Sequence, residues 1–235
     1  RDRFRKTSPR NQHDICYAYS DDDGRTWRNN EGSVIGETGT DRVIHLDSNG
    51  LIVVPVERGL GLTNQNGQYA YPDGSVHVMV LQAPKKGQKR TFHHHWRDRN
   101  GRWQSQALKF SGGRPKIVGD RDGNLFLFYE EGDAFTIAKG TPNSLATKWS
   151  WEPIYVEKEV GMGSEAVVDF TRWEKERVVS AYMQEKPDEL LRYGDGPMID
   201  GKPSALWVVD YQVSAYTANP RPSADAEQVP VGSGL

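Results

Sequence analysis

The stretch from Gly61 to Trp103 constrains this chain most, because its turn residues and apolar runs fit only one local arrangement. Pro72-Asp73-Gly74 lies between apolar runs. Proline presets φ near −65° and glycine accepts positive φ, so these residues make a tight turn. After it, Ser75 to Leu81 is apolar at nearly every position, with Val76, Val78 and Val80 on one side and Met79 and Leu81 on the other. That pattern predicts a strand covered on both faces, with His77 inside it. A basic loop, Lys85-Lys86-Gly87-Gln88-Lys89-Arg90, leads to an aromatic and histidine-rich run, and a second turn follows at Asp98 to Gly101. The whole stretch predicts one four-stranded antiparallel unit.

Forty-nine residues beyond Asp73-Gly74 comes Asp122-Gly123, and the same step carries Gln65 onto Arg114. Leu125 to Tyr129 (LFLFY) then repeats the covered strand. A third copy is expected over Glu165 to Phe170, Arg177 to Met183 and Leu206 to Val213. Repetition at this period, four strands per copy, predicts an all-β chain built as a β-propeller of four-stranded antiparallel blades. Before Leu60 there is one partial blade, with Leu51 to Val56 as an outer strand whose Pro55 is tolerable at an edge. A closed propeller needs at least about four blades. The expectation is therefore a partial propeller over residues 1–218, about half of one with roughly seven blades, N-terminal blades lying outside this chain. A flexible Pro-, Ser- and Gly-rich tail is expected over 219–235.

Thirty basic residues against thirty-two acidic ones leave a net charge of −2, which gives no electrostatic reason to expect nucleic acid as a partner. No apolar run reaches the ~20 residues of a membrane helix, so no membrane partner is expected. The opening RDRFRKTSPR lacks the apolar core of a signal peptide. Cys16 stands alone, which excludes an internal disulfide.

Near the N-terminus a short strand over Asp14 to Tyr19 runs into Ser20-Asp21-Asp22-Asp23-Gly24-Arg25-Thr26-Trp27. This matches S-x-D-x-G-x-T-W at every fixed position and resembles the Asp-box, or BNR repeat, of sialidase-like propellers. Its carboxylates and hydroxyl can bond the turn's own amides, Gly24 allows the reversal and Trp27 covers the hairpin, so its role is structural. Further on, Asn64, Gln65 and Gln68 ahead of Asp73-Gly74, then His77-Val78, then His94-His95-Trp96-Arg97-Asp98, Gly101 and Trp103, resemble the BNR-repeat family that includes the propeller-type ulvan lyases. They are also similar to its relatives acting on rhamnose-uronate glycans. The likeness covers roughly residues 12 to 140 and fades beyond.

That resemblance implies β-elimination at a uronic acid of an anionic polysaccharide, without a cofactor and with no metal assigned, by a secreted or periplasmic monomer. Elimination needs the carboxylate neutralised, the C5 proton abstracted and the leaving oxygen protonated. The family uses His, Tyr and Arg for these tasks, and Arg suits the first because its fork pairs with carboxylate. By motif His77 and then His94 are the carry-over; Tyr129 and Arg114 follow from blade geometry. Strand directions would gather Asn64, Gln65, Arg114, Lys86, Lys89, Arg90 and the start of the histidine run at one mouth, a rim suited to an anionic glycan. The sequence departs from the lyases downstream of Tyr129, where only Lys139 stands in place of the expected Arg; Tyr182 with Arg192 is the alternative pair.

Each candidate has a structural reading beside the functional one. His77 can be a buried histidine bonded to a carbonyl, Tyr129 a core residue, Arg114 a blade-edge contact and the basic loop a solvated tip. His93 and His95 share one strand face, an H-x-H pattern able to hold zinc, but without an evident third ligand they read as packed histidines. Glu130-Glu131 and Asp188-Glu189 suit a glycosidase acid pair, although both read as surface. A glycoside hydrolase and a carbohydrate-binding propeller without catalysis therefore remain open beside the lyase.

Overall fold

The computed structural model describes residues 12–63, 65–162, 165–186 and 204–213. Two compact units divide the chain, one over Arg1–Phe110 and the other over Ser111–Leu235.

In the first unit, β1 (Ile15–Cys16) pairs with β4 (Ile52–Val54), and β2 (Thr26–Arg28) forms a hairpin with β3 (Val34–Glu37). Pro55 lies just past the end of β4, where its missing N–H costs no ladder bond. The turn entering β2 is closed by its own polar groups. Thr26 donates its amide and hydroxyl to the Asp22 carboxylate at 2.8 and 2.7 Å, and the Gly24 amide donates to the Ser20 hydroxyl at 2.8 Å. These bonds, from the Thr26 amide first, hold the Asp22 carboxyl down at about 2. The expected structural role of this segment is what the geometry shows.

Next comes the predicted four-stranded sheet: β5 (Gly67–Ala70), β6 (Val76–Gln82), β7 (Thr91–Arg97) and β8 (Trp103–Ala107), antiparallel in that order. Val78 and Val80 pack into a cluster with Ile15, Val56 and Leu62, which joins this sheet to the strands before it. Arg97 adds a polar clamp at one end of that seam. It donates to the Asn30 side chain at 2.9 Å and to the Gly74 carbonyl at 2.9 Å, and its guanidinium lies over the Tyr17 ring. Trp103 donates its indole N–H to the same Asn30 oxygen at 3.1 Å. The W-R-D and G-x-W pieces of the sequence motif thus hold the sheet in place.

The second unit opens with another four-stranded antiparallel sheet: β9 (Lys116–Gly119), β10 (Leu125–Glu131), β11 (Ala134–Pro142) and β12 (Trp149–Val156). The 49-residue step is visible in it, since Gly74 and Gly123 adopt φ of 83° and 81° in corresponding turns. A third sheet follows with β13 (Val167–Val168), β14 (Val178–Gln184) and β15 (Leu206–Gln212). Three strands, not four, are described here, and between the first two lies a helix, α1 (Phe170–Glu176), that the strand-only reading of this copy did not anticipate. Asp169 caps it by accepting the Arg172 amide at 3.0 Å. Trp173, 2 % exposed, anchors it by donating to the Gly119 carbonyl at 2.9 Å. Apart from this one short helix, the regular elements among the described residues are strands, in two four-stranded sheets, one three-stranded sheet and two two-stranded pairs.

Candidate functional site

Strand register decides what the histidines can do. Residues paired across β6 and β7 share a face, so the pairs His77 with Trp96, Met79 with His94 and Leu81 with Phe92 all lie on one side. The opposite side carries the pairs Val78 with His95 and Val80 with His93. His77 and His94 are buried at 3 % and 0 % exposure, and their rings stack. His77 Nδ1 and His94 Nε2 are 3.0 Å apart, a hydrogen bond between imidazoles in which one nitrogen must carry the proton and the other accept it. Tyr71 meets the His77 ring edge-on, and Trp96 stacks on His94.

Burial governs the protonation of this pair. It pulls His77 down to about 4, with the Asp73 carboxylate opposing, and His94 well below the usual imidazole range. Both rings are therefore neutral at pH 7, the state in which an imidazole can accept a proton. The sequence places these two residues on one list; only the antiparallel register makes them a bonded pair.

Around the β6–β7 loop the expected cations are exposed. Lys86 forms an ion pair with Glu57, and Arg90 donates to the Gly61 carbonyl, so this loop lies against the chain that enters β5. Lys89 and Gln65 are exposed as well. Of the residues expected to meet at one mouth, Gln65, Lys86, Lys89 and Arg90 are described in the first unit, and all are exposed. Asn64 lies outside the described residues, as do Asp188, Glu189, Arg192 and the predicted tail over 219–235. Tyr182, the alternative tyrosine, is 44 % exposed on β14.

Arg114 and Tyr129 come together in the second unit. They line a small indentation, with room of about 10 Å³, together with Lys116, Phe128, Glu130 and Phe135. Glu165 draws both cations, with Arg114 Nη1 at 2.8 Å and Lys116 Nζ at 2.5 Å. Arg114 is thus already engaged with a carboxylate, which shows its aptitude for that task and sets a competitor for any substrate carboxylate. Tyr129 is 2 % exposed. Burial, then the Glu131 carboxylate, raises its phenol further, so it can donate a proton but not supply a phenolate at neutral pH. Gly112 makes its burial possible, since a Cβ there would stand 2.4 Å from the Tyr129 ring.

Glu130 needs a correction, because the sequence reading places it on the surface. Glu130 is half-buried at this indentation and accepts the Ala166 amide at 3.0 Å. Burial raises its pKa, and the nearby Glu165 carboxylate adds to this. Glu165 goes the other way: burial pushes it up, but hydrogen bonds from Lys116 and Arg114 outweigh that and leave it lowered. Sequence reasoning missed Lys116 and Glu165. Neither sits in a motif, and their 49-residue separation was the one available hint.

Comparison with known proteins agrees with this architecture. Residues 3–111 match a BNR repeat-containing family, a span that nearly coincides with the first unit. The structure is similar to the crystal structure of the polysaccharide lyase Uly1, with a TM-score of 0.54 and 16 % sequence identity. The match covers 88 % of this chain and 41 % of that one, so the chain spans less than half the length of that lyase. No curated protein matches the sequence.

Proposed function

We propose that this chain forms part of a propeller-type polysaccharide lyase that cleaves a uronate-containing, ulvan-like glycan by β-elimination. One observation carries the reading: the buried His77–His94 hydrogen bond at 3.0 Å, between two rings that burial keeps neutral. A neutral imidazole can take the C5 proton, and a second imidazole bonded to it can share the charge that results. In the second unit Arg114 has the chemistry of a carboxylate partner and Tyr129 that of a neutral proton donor. Lys86, Lys89, Arg90 and Gln65 offer exposed contacts for an anionic polymer, which such an enzyme meets outside the cell. The fold likeness to a polysaccharide lyase supports the reading.

A second reading, hydrolysis, is favoured by the carboxylates in the second unit. Glu130 is raised and Glu165 lowered, the division of labour expected of a general acid and its ionised partner.

Incubation of the protein with uronate glycans, followed by near-ultraviolet absorbance and reducing ends together, separates the two. The expected result is a parallel rise of both signals, lost in His77→Ala and kept in Glu130→Gln. Reducing ends without absorbance, lost in Glu130→Gln, would replace elimination by hydrolysis. Neither signal, with glycan retained on the protein, would leave a binding propeller.

A further inference from the structure

Two carboxylates and two cations meet in the second unit, and the carboxylates are held very differently. Lys116 pairs with Phe128 across β9 and β10. Just beyond that pair the Gly113 amide donates to the Glu130 carbonyl at 2.6 Å, which brings Arg114 alongside Glu130. Glu165, ahead of β13, spans both cations, with one oxygen to Arg114 and the other to Lys116. The Glu130 carboxylate accepts the Ala166 amide, and among the described residues it forms no ion pair. The charges acting on Glu130 are those of Glu165, Arg114 and Lys116, with Glu131 exposed beside it on β10.

Arg114 has donors to spare. Its side chain is 51 % exposed, and among the described residues only its Nη1 is hydrogen-bonded, so the remaining N–H groups can meet a ligand from solvent. A guanidinium fork matches the two oxygens of a carboxylate, and Glu165 is a carboxylate already held by these cations. Such a ligand sits against the exposed fork, and the adjoining indentation of about 10 Å³ need not contain it. With both glutamates ionised the two cations are balanced, and a further carboxylate meets repulsion. A proton relieves it. Burial pushes Glu165 up, but hydrogen bonds from Lys116 and Arg114 outweigh that and keep it ionised. Burial raises Glu130, and the Ala166 amide opposes this only in part, so Glu130 is the group that takes the proton.

We infer that Arg114 and Lys116 bind a carboxylate-bearing ligand on the exposed side of Arg114, beside Glu165, and that Glu130 takes up one proton from solvent as the ligand binds. The liganded chain then holds more protons than the free one. Affinity therefore rises as the pH falls, by up to about tenfold per pH unit between the Glu130 pKa of the free chain and that of the bound chain. The site rests on Arg114 as the carboxylate partner named above, but it is read by binding without turnover. A chain that binds and does not eliminate counts against the lyase alone.

The test is titration of the full chain with sodium D-galacturonate at constant ionic strength, from about pH 8 to about pH 5, a range above the ligand's own carboxyl pKa. Calorimetry in two buffers of different ionisation enthalpy counts the protons. Saturable binding is expected, strengthening about tenfold across the range with uptake of up to one proton per ligand. Uncharged D-galactose should not bind, and sulfate should bind more weakly. Arg114→Ala, at a half-exposed position, should abolish binding. Glu130→Gln should keep binding and make its affinity independent of pH, which a merely structural role for Glu130 would not do. Absence of saturable binding by the unaltered chain overturns the proposal without recourse to any variant. Binding unchanged in Arg114→Ala, or a pH dependence that survives in folded Glu130→Gln, overturns it as well, and sulfate bound as tightly as galacturonate overturns the carboxylate class.

Discussion

Two four-stranded sheets of the same topology stand 49 residues apart, and they fill corresponding strands differently. Leu125 takes the place of Val76 and Phe126 that of His77, so the β10 strand is LFLFY where β6 is VHVMV. The second sheet holds Leu125, Leu127, Phe128, Phe135 and Ile137 at 1 % exposure or less, an apolar core that needs nothing but close packing. Buried histidines replace part of that core in the first sheet, and each must find a partner. One blade invests its interior in stability and the other gives part of it to groups that can move protons, although both share their turns and register.

The largest effect is expected where the apolar sheet is opened. Phe128→Ala should cost about 3–5 kcal/mol in chemical denaturation, since a phenyl ring at 1 % exposure leaves a cavity. If His94→Ala in the first sheet costs as much, the comparison breaks, because its ring would then be core like any other. Next in size, Arg97→Ala removes hydrogen bonds to Asn30 and Gly74 along with the Tyr17 contact, and should cost about 1.5–3 kcal/mol. An unchanged denaturation midpoint would show that the clamp contributes nothing.

The third prediction concerns pH. His77 and His95 are lowered to about 4 in the folded chain against 6.5 unfolded, so the unfolded state binds more protons between these values. Stability contributed by their neutral state is complete above about pH 6.5 and falls as the pH drops towards 4, with a slope of up to about 1.4 kcal/mol per pH unit for each ring. Melting temperatures between pH 7 and pH 4.5 should fall accordingly, and His77→Gln should flatten the curve. A curve unaltered by that substitution would mean that the ring titrates normally. Smallest of all, Gly74→Ala and Gly123→Ala should each cost about 1 kcal/mol, because both residues occupy positive φ in equivalent turns. Clearly unequal costs would deny that the turns are equivalent.

Much of the fold was legible because it is written locally. Asp-Gly pairs announce the turns by their backbone preferences, and unbroken apolar runs such as LFLFY announce strands covered on both sides. The turn at Ser20 to Trp27 closes on itself, so its residues alone reveal its role. Helix α1 also carries a local signal, Asp169 ahead of Phe170, although the repeat pattern predicts only strands on either side of it. The candidate site was legible only as a set of names. His77, His94, Arg114 and Tyr129 could be singled out by residue type and motif, whereas Glu130 read as surface and Glu165 carried no mark.

What the sequence by itself determined is the alternation of turn and strand, and with it the blade-like repeat, since φ preferences and apolar periodicity act over a few residues. Tertiary structure alone decided that His77 bonds His94 while His93 and His95 turn to the other face. It also decided that Glu165, just ahead of β13, gathers Arg114 and Lys116 from the start of β9. Such contacts depend on strand register and on burial, which set distance and protonation together, and neither quantity is a property of any short stretch of chain.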